Sequence, residues 1–295
     1  MTPAPTPENT VRLALPKGRM KDSLFTLMRD AGVRVTESSR GYRPRVGLEG
    51  FDAKILKPQS VIQMLQTGSR DVGFAGADWV AELGATELIE VLDLGLDPVR
   101  LVAAAPSDLL NARGELPTDR RLVVASEMER LTRAWIERRG LNAVFVRTYG
   151  ATEVFPPEDA DCIVDITQTG ATLEANRLTI IDTLLTSSTR LYASPGAMES
   201  PSKSARIEQL ALLLGSVLEA RSRVMLALNV TRDALERVLG ALPCMREPTV
   251  SPLSHDAGYA VSSAVPREDL ARVIPLLKQA GATDLVVTQP SQIVR

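Results

Sequence analysis

Apolar residues recur along this chain in short blocks that switch between two periods. Residues 11–15 read as a strand, Pro16-Lys17-Gly18-Arg19 as a loop, and residues 20–31 place Leu24, Leu27, Met28 and Ala31 on one helical face. The alternation continues with strands at 53–56 and 71–75 and helices at 59–66 and 78–83. Further strands are predicted at 99–105, 121–125, 143–146 and 161–166, with a helix at 128–139. Strands alternating with helices predict an α/β fold, a parallel sheet with helices on its faces. Stretches near 94–98 and 176–180 read as crossings between lobes, so two similar lobes are expected around a cleft. Lobe I takes 11–95 and 180–221, and lobe II takes 96–179. Clefts of this kind hold ligands beyond the carboxyl ends of strands.

Residues 202–221 form a long helical pattern that reads as a spacer. Beyond it, strands at 224–230, 249–253, 259–265 and 284–288 and helices at 231–241 and 267–279 spell βαββαβ. That order predicts a ferredoxin-like module over 222–295. The module carries no obvious catalytic cluster and reads as regulatory or oligomerising. Residues 1–10 are expected to be a disordered tail, with neither the cationic start nor the apolar stretch of a secretory signal.

Composition removes several function classes. The formal net charge over 295 residues is −2, so no overall basic surface points to nucleic acid. A polyanionic ligand must be met by local Lys and Arg clusters or by a metal ion. Aromatics are 4% of the chain, too few for single-strand stacking platforms. No apolar run is long enough for a membrane span. The two cysteines, Cys162 and Cys244, form no metal or redox spacing, which fits a reduced, cytoplasmic protein. The single histidine, His255, sits in a turn-like sequence, which argues against triads and multi-histidine metal sites.

The richest segment runs from Cys162 to Leu173. A short apolar strand ends in Asp165, and Thr169-Gly170-Ala171-Thr172 opens a helix. Unpaired N–H groups at a helix start, a glycine permitting close approach and two threonine hydroxyls make an anion cradle. Asp165 at the strand end is placed to accept from sugar hydroxyls. A capping threonine in ordinary α/β architecture is the plainer account of the same residues. The spacing Asp-x-x-x-Thr-Gly-x-Thr resembles the phosphoribosyl-diphosphate loop of phosphoribosyltransferases.

Other candidates read two ways. Lys17 and Arg19, beside Gly18 at the end of the first strand, are solvated charges or phosphate contacts. Arg40 and Arg43 lie in a glycine-punctuated turn, and Lys57 ends a strand. Arg100 begins a strand, and its two readings are not separated by sequence. Asp71 through Gly76 carries small residues, where Gly73 marks either ligand approach or tight helix–sheet packing. Glu153 holds Mg²⁺ through water or caps a turn.

Taken together, these segments resemble the ATP phosphoribosyltransferase family. The resemblance runs through Leu15–Met20, Asp71–Asp78, Val99–Pro106, Asp165–Leu178 and Glu247–Leu253 and covers nearly the whole chain from Val11. The last part is similar to the C-terminal domain of the long, histidine-inhibited form. The resemblance implies a two-lobed, periplasmic-binding-protein-like catalytic part with a ferredoxin-like regulatory domain. It implies transfer of the phosphoribosyl group of phosphoribosyl diphosphate to N1 of ATP, with Mg²⁺ and release of diphosphate. By the same resemblance, Thr169, Gly170, Ala171 and Thr172 hold the 5′-phosphate, Asp165 the ribose hydroxyls, and Glu153 lies near the sugar or metal. Lys17, Gly18, Arg19, Arg40, Lys57, Asp71 and Gly73 fall on the ATP side, with Arg19, Lys57 and Asp165 as the catalytic set. Asn229 and Thr249 match a pocket for histidine as inhibitor, and assembly from dimer to hexamer is implied.

The chain departs from the family pattern at three places. Lys57-Pro58-Gln59 stands where Arg is frequent, giving a point charge for a planar fork. Met128-Glu129 replaces a Tyr-Pro pair, and Asn229 stands where a carboxylate occurs. These departures keep two other readings in view: a two-lobed small-molecule binding protein, and a catalytically weakened regulatory paralogue. An intact Asp165–Thr172 loop favours the enzyme.

Overall fold

The computed structural model describes residues 9–37, 41–243 and 247–294. The described residues of Met1–Thr26 with Val33–Ala211 make one compact unit, and those of Leu27–Gly32 with Leu212–Arg295 make a second.

In the first unit the chain order is β1 (Val11–Pro16), α1 (Met20–Asp30), β2 (Val35–Thr36), β3 (Arg45–Val46), β4 (Phe51–Leu56), α2 (Pro58–Gln66), β5 (Val72–Gly76) and α3 (Ala77–Glu82). It continues with β6 (Ile89–Pro106), β7 (Leu122–Ser126), α4 (Glu129–Arg138), β8 (Ala143–Arg147), β9 (Cys162–Thr167), α5 (Ala171–Ala175) and β10 (Leu178–Ala193). After α6 (Pro195–Glu199) comes α7 (Pro201–Ser222), inside which the division at Ala211 and Leu212 falls. An 8-stranded sheet runs in the order β4-β1-β5-β10-β6-β9-β7-β8. Lobe I is the parallel trio β4, β1 and β5, and lobe II is the parallel trio β9, β7 and β8. Between them lie β6 and β10, antiparallel to each other and to their outer neighbours.

That centre departs from the all-parallel expectation. β6 and β10 have 18 and 16 residues and pass through both lobes. Val99 to Pro106 pairs with Leu178 to Ser187 in lobe II, while Ile89 to Leu96 pairs with Thr189 to Ala193 in lobe I, with register shifts where the halves meet. Asp97 and Pro98 lie between the two paired halves of β6. The return crossing lies at Ser188, because residues 178–187 are still paired within lobe II. The polar run Thr186-Ser187-Ser188-Thr189 hides this strand from a hydrophobicity reading, although Ser187 and Thr189 are buried in the fold.

Each lobe has its own core. Ala14, Val61, Ile62, Leu65, Ala75 and Tyr192 pack together in lobe I. In lobe II, Leu101, Leu122, Val124, Trp135 and Val164 fill one face of the sheet, and Val102, Ala104, Ile163 and Leu173 fill the other. Gly73 belongs to the packing. A Cβ there would come 2.7 Å from Val61 Cγ1 and 2.9 Å from Ala14 Cβ, so its lack of a side chain lets α2 lie close to the sheet.

The second unit completes the chain with β11 (Arg223–Val230), α8 (Leu235–Ala241), β12 (Thr249–Pro252), β13 (Tyr259–Pro266), α9 (Leu270–Ala280) and β14 (Thr283–Thr288). Its strand order β12-β13-β11-β14, all antiparallel, is that of the ferredoxin-like fold. Val224, Leu226, Leu228, Val261 and Val265 pack with Val238, Val273 and Leu277 of the helices. The opposite face exposes Ala227 and Val286, which stand opposite each other in the β11–β14 pair. Among the described residues no helix is long and apolar enough to cross a membrane.

Asp71 corrects a site expectation. It stands just before β5, beside Arg12 of β1, at the sheet edge away from the carboxyl ends of those strands. Its side chain is 3% exposed and meets the Arg12 guanidinium at 2.8 Å and the Lys203 ammonium at 2.9 Å. Burial alone would raise its pKa, but donors from Arg12 and Lys203 outweigh that and hold the carboxyl below its ordinary range. Asp71 therefore ties β1, β5 and α7 together and does not face a ligand. Replacing Asp71 by Asn is expected to cost about 3 kcal/mol of folding stability in urea titrations, because two cations lose their shared partner. The loss is present in full above the ordinary carboxylate range and fades as the wild-type group protonates on acidification. KM for ATP is expected to be unchanged in this variant; a selective rise would return Asp71 to the substrate site.

Candidate active site

On lobe I the loop after β1 is shaped by hydrogen bonding. Lys17 N–H donates to Leu56 O at 2.7 Å, extending the β1–β4 ladder, and Lys21 N–H donates to Gly18 O as α1 begins. Gly18 has φ +87°, a left-handed turn position suited to glycine. The Lys17 ammonium lies 5.4 Å from the Tyr42 ring centre. Lys17 and Arg19 line a cavity of about 120 Å³ with Gly76, Asp78, Asp97 and Ile166. Arg19 has no ion pair among the described residues.

The polar floor of this cavity is tied down. Ser187 Oγ donates to Asp78 Oδ1 and accepts from Asp78 N–H, both at 3.0 Å. A Cβ at Gly76 would come 2.0 Å from Asp78 Oδ1, so a larger residue would evict that carboxylate. Asp97, at φ +48°, accepts from Ser23 Oγ at 2.5 Å and Thr189 Oγ1 at 3.3 Å. It thereby links α1 to both crossing strands.

Lys57 directly follows β4, and its extended backbone caps α2 ahead of Pro58, which lines the same cavity. Lys57 itself is exposed, with no carboxylate partner among the described residues. Arg40 lies outside the described residues. Arg43 pairs with Asp52 at 3.5 Å on the surface. Asp71 and Gly73 are not at this end of the strands.

On lobe II, Glu153, Asp165, Thr167, Gln168, Thr169 and Thr172 line a cavity of about 320 Å³. Gly170 adopts φ +91°, the left-handed turn that its sequence position calls for. Thr167 Oγ1 accepts from Gly170 N–H at 2.9 Å, and Thr169 Oγ1 accepts from Ala171 N–H at 3.3 Å. Ala171 itself lines neither cavity and serves as the first helical residue. The following helix has five residues, so the expected helix dipole is small, and the cradle relies on hydroxyls and loop amides instead. Thr167 was not singled out by sequence, since it reads as the last strand residue before the motif.

Asp165 is half-buried, and its pKa is pushed up to about 6. Burial is the main cause, and Glu153 and Glu127 add like-charge repulsion, while the Ile166 N–H opposes the rise at 2.7 Å. Ile166 lines both cavities, so the cationic rim of lobe I and the carboxylates of lobe II adjoin across one side chain. At the Tyr-Pro departure, Met128 is 2% exposed in the lobe II core, and Glu129 pairs with Arg133 and Arg147.

In the second unit, Asn229 and Thr249 line one cavity of about 340 Å³ with Ser251, Ser262 and Asp284. Asn229 Nδ2 donates to Asp284 Oδ2 at 3.1 Å. Asp284 thus brings a carboxylate beside Asn229. Local spacing does not reveal this pairing, because 55 residues separate the two.

Comparison with known proteins agrees with this arrangement. The family model described as ATP phosphoribosyltransferase matches residues 57–216, and the one described as its C-terminal domain matches residues 220–291. The ATP phosphoribosyltransferase of Chlorobium phaeovibrioides is 36% identical, covering 92% of this chain and 93% of that protein. The enzyme of Pelotomaculum thermopropionicum is also 36% identical, with 94% and 96% covered. The solved ATP phosphoribosyl transferase (HisG:HisZ) complex from Thermotoga maritima matches with a TM-score of 0.60 and 26% identity, over 70% of this chain and 99% of that one. With both of its units matched in this way, this chain belongs to the ATP phosphoribosyltransferase family, which carries out the first step of histidine biosynthesis, and to the long form of that family.

Proposed function

We propose that the two adjoining cavities divide the substrates, with phosphoribosyl diphosphate on lobe II and ATP on the rim of lobe I. The observation that carries this reading is the shared wall at Ile166, with acceptors for a sugar on one side and cations for polyphosphate on the other. Thr169, Thr172 and the amides around Gly170 and Ala171 hold the 5′-phosphate. Asp165 accepts from the ribose hydroxyls, with Glu153 beside it. Lys17, Gly18, Arg19 and Lys57 form the ATP side, with Lys57 a point charge rather than a fork.

The adenine N1 lone pair forms the new bond to C1 of the ribose, and the C1–O bond breaks with its electron pair leaving on diphosphate. Positive charge grows on the ribose near the Asp165 and Glu153 carboxylates. Negative charge grows on diphosphate towards Lys17, Arg19 and Lys57. Alignment and electrostatics then do most of the work. No step needs a histidine, which suits a chain with one.

Mg²⁺ fits this donor set as an ion arriving with the substrates. Among the described residues no group of three His, Cys, Asp or Glu is arranged as a metal cage. Mg²⁺ binds through one or two carboxylates plus substrate phosphates, and Asp165 and Glu153 share a cavity. Bound there, it would supply charge neutralisation to the diphosphate.

The C-terminal unit takes histidine as inhibitor at Asn229 and Thr249, with Asp284 furnishing the carboxylate for an ammonium group. Assembly as a homo-oligomer, from dimer to hexamer, is supported by Ala227 and Val286 exposed on the uncovered sheet face. A cytoplasmic location follows from the biosynthetic role.

Asp165→Asn and Thr169→Ala are each expected to lower turnover of phosphoribosyl diphosphate at least about tenfold, near 1.4 kcal/mol in the barrier. Unchanged kinetics in the folded variants would remove these residues from the site. The ionised carboxylate accepts from hydroxyls at both oxygens, whereas protonation turns one of those oxygens into a donor and removes the charge. KM for phosphoribosyl diphosphate should therefore rise as pH falls through about 6, and Asp165→Asn should erase that limb. A limb that survives the substitution belongs to another group. Histidine should suppress product formation, followed by absorbance in the adenine band, and Thr249→Val should weaken suppression about tenfold at unchanged basal rate. Equal suppression in the variant would place the effector elsewhere.

A further inference from the structure

The sugar-phosphate cavity has an unbalanced charge. Its ionisable lining residues, Glu153 and Asp165, are both acidic, and Glu127 is near enough to act on Asp165. A phosphate monoester adds about two more negative charges near neutral pH. Like charges gathered in a half-buried site need a cation.

Arg100, on the crossing strand, is placed to provide it. In the β6–β9 ladder Arg100 stands opposite Thr167, Val102 opposite Asp165, and Ala104 opposite Ile163. Directly opposed residues of an antiparallel pair send side chains to the same face, with Cβ atoms about 5 Å apart. Arg100 therefore shares a sheet face with Thr167 and Asp165. The packing confirms which face this is: Val102, Ala104 and Ile163 lie in one cluster with Leu173 of α5, the helix that opens from the cradle.

Arg100 is half-buried, yet among the described residues no carboxylate pairs with it and no oxygen accepts from it. Other arginines of the same unit are engaged, as Arg12, Arg120, Arg147 and Arg190 are. A guanidinium carries five donors, and half-buried donors call for acceptors. We propose that Arg100 binds a phosphoryl group of phosphoribosyl diphosphate from the sheet side of the cradle and sets the affinity for that substrate. The proposal rests on the reading of Asp165 to Thr172 as the sugar-phosphate site.

The test uses full-length Arg100→Ala, Arg100→Lys and Thr169→Ala. Initial rates are measured against each substrate, and calorimetric titrations use ribose 5-phosphate and inorganic diphosphate as probes. Arg100→Ala should raise KM for phosphoribosyl diphosphate about tenfold or more with an unchanged thermal midpoint, while KM for ATP stays within about twofold. Arg100→Lys should recover part of the loss, since it keeps charge without the planar fork. If the alanine variant does not fold, the lysine variant should still raise KM for phosphoribosyl diphosphate alone. Weaker binding of ribose 5-phosphate would place Arg100 on the 5′-phosphate, and weaker binding of diphosphate would place it on the leaving group. An unmoved KM for phosphoribosyl diphosphate, an equal rise in both KM values, or unweakened binding of both probes would overturn the assignment. If Thr169→Ala raises that KM and Arg100→Ala does not, Arg100 alone falls. If neither raises it, the cradle reading falls too.

Discussion

The ladder between β6 and β10 is the constraint on which the catalytic unit depends. Two long antiparallel strands pass through both lobes, so each lobe completes its sheet on a half of the same pair. The halves meet at register shifts beside Asp97 and Ser188, where regular pairing lapses. Polar side chains take over there: Ser187 holds Asp78, and Asp97 gathers Ser23 and Thr189. Strands and helices that would otherwise end in solvent are thereby turned towards a common cleft, and the floor between the lobes is rigidly hydrogen-bonded.

The cations of that cleft and the carboxylates left without a hydroxyl partner fall in different lobes, since Asp78 and Asp97 of the lobe I cavity are engaged by Ser187 and Ser23. Lys17, Arg19 and Lys57 lie at the carboxyl ends of lobe I strands, whereas Asp165 and Glu153 lie in lobe II. A reaction that separates charge between a ribose and its leaving diphosphate matches such a division. The raised pKa of Asp165 belongs to the same design, because burial and neighbouring acids make its ionised form costly until a polar or cationic partner arrives. Arg100, on the strand shared by both lobes, stands opposite Thr167 in the lobe II part of the sheet.

The family departures have local physical accounts. Met128 is core, packed with Leu122 and Trp135, so the lost tyrosine is replaced by apolar filling. Glu129 satisfies two arginines at the surface. At Asn229 the lost carboxylate is matched by Asp284 across the β11–β14 pair. Whatever group the cavity receives meets a negative charge from a different strand.

Much was legible in the chain. Periodicity located the strands that carry Lys17 and Asp165, the βαββαβ order of the C-terminal unit, and the glycine turn at Gly170, whose left-handed backbone is a local property. The motif around Thr169 is contiguous, so its chemistry is written in neighbouring letters. Asp71 and Gly73 misled, because a small-residue strand looks alike whether its glycine admits a ligand or a helix. Only the contacts with Val61, Arg12 and Lys203 distinguish the two. The polar segment 186–189 concealed the middle of β10, since its burial comes from partners far along the chain. By itself, then, the sequence determined what backbone preference and short-range pattern control: the elements, the loop and the residue types available for catalysis. Tertiary structure alone decided which distant residues come together, setting Thr167 opposite Arg100 and joining Asn229 to Asp284, because strand register and long-range packing do this and no local spacing encodes it.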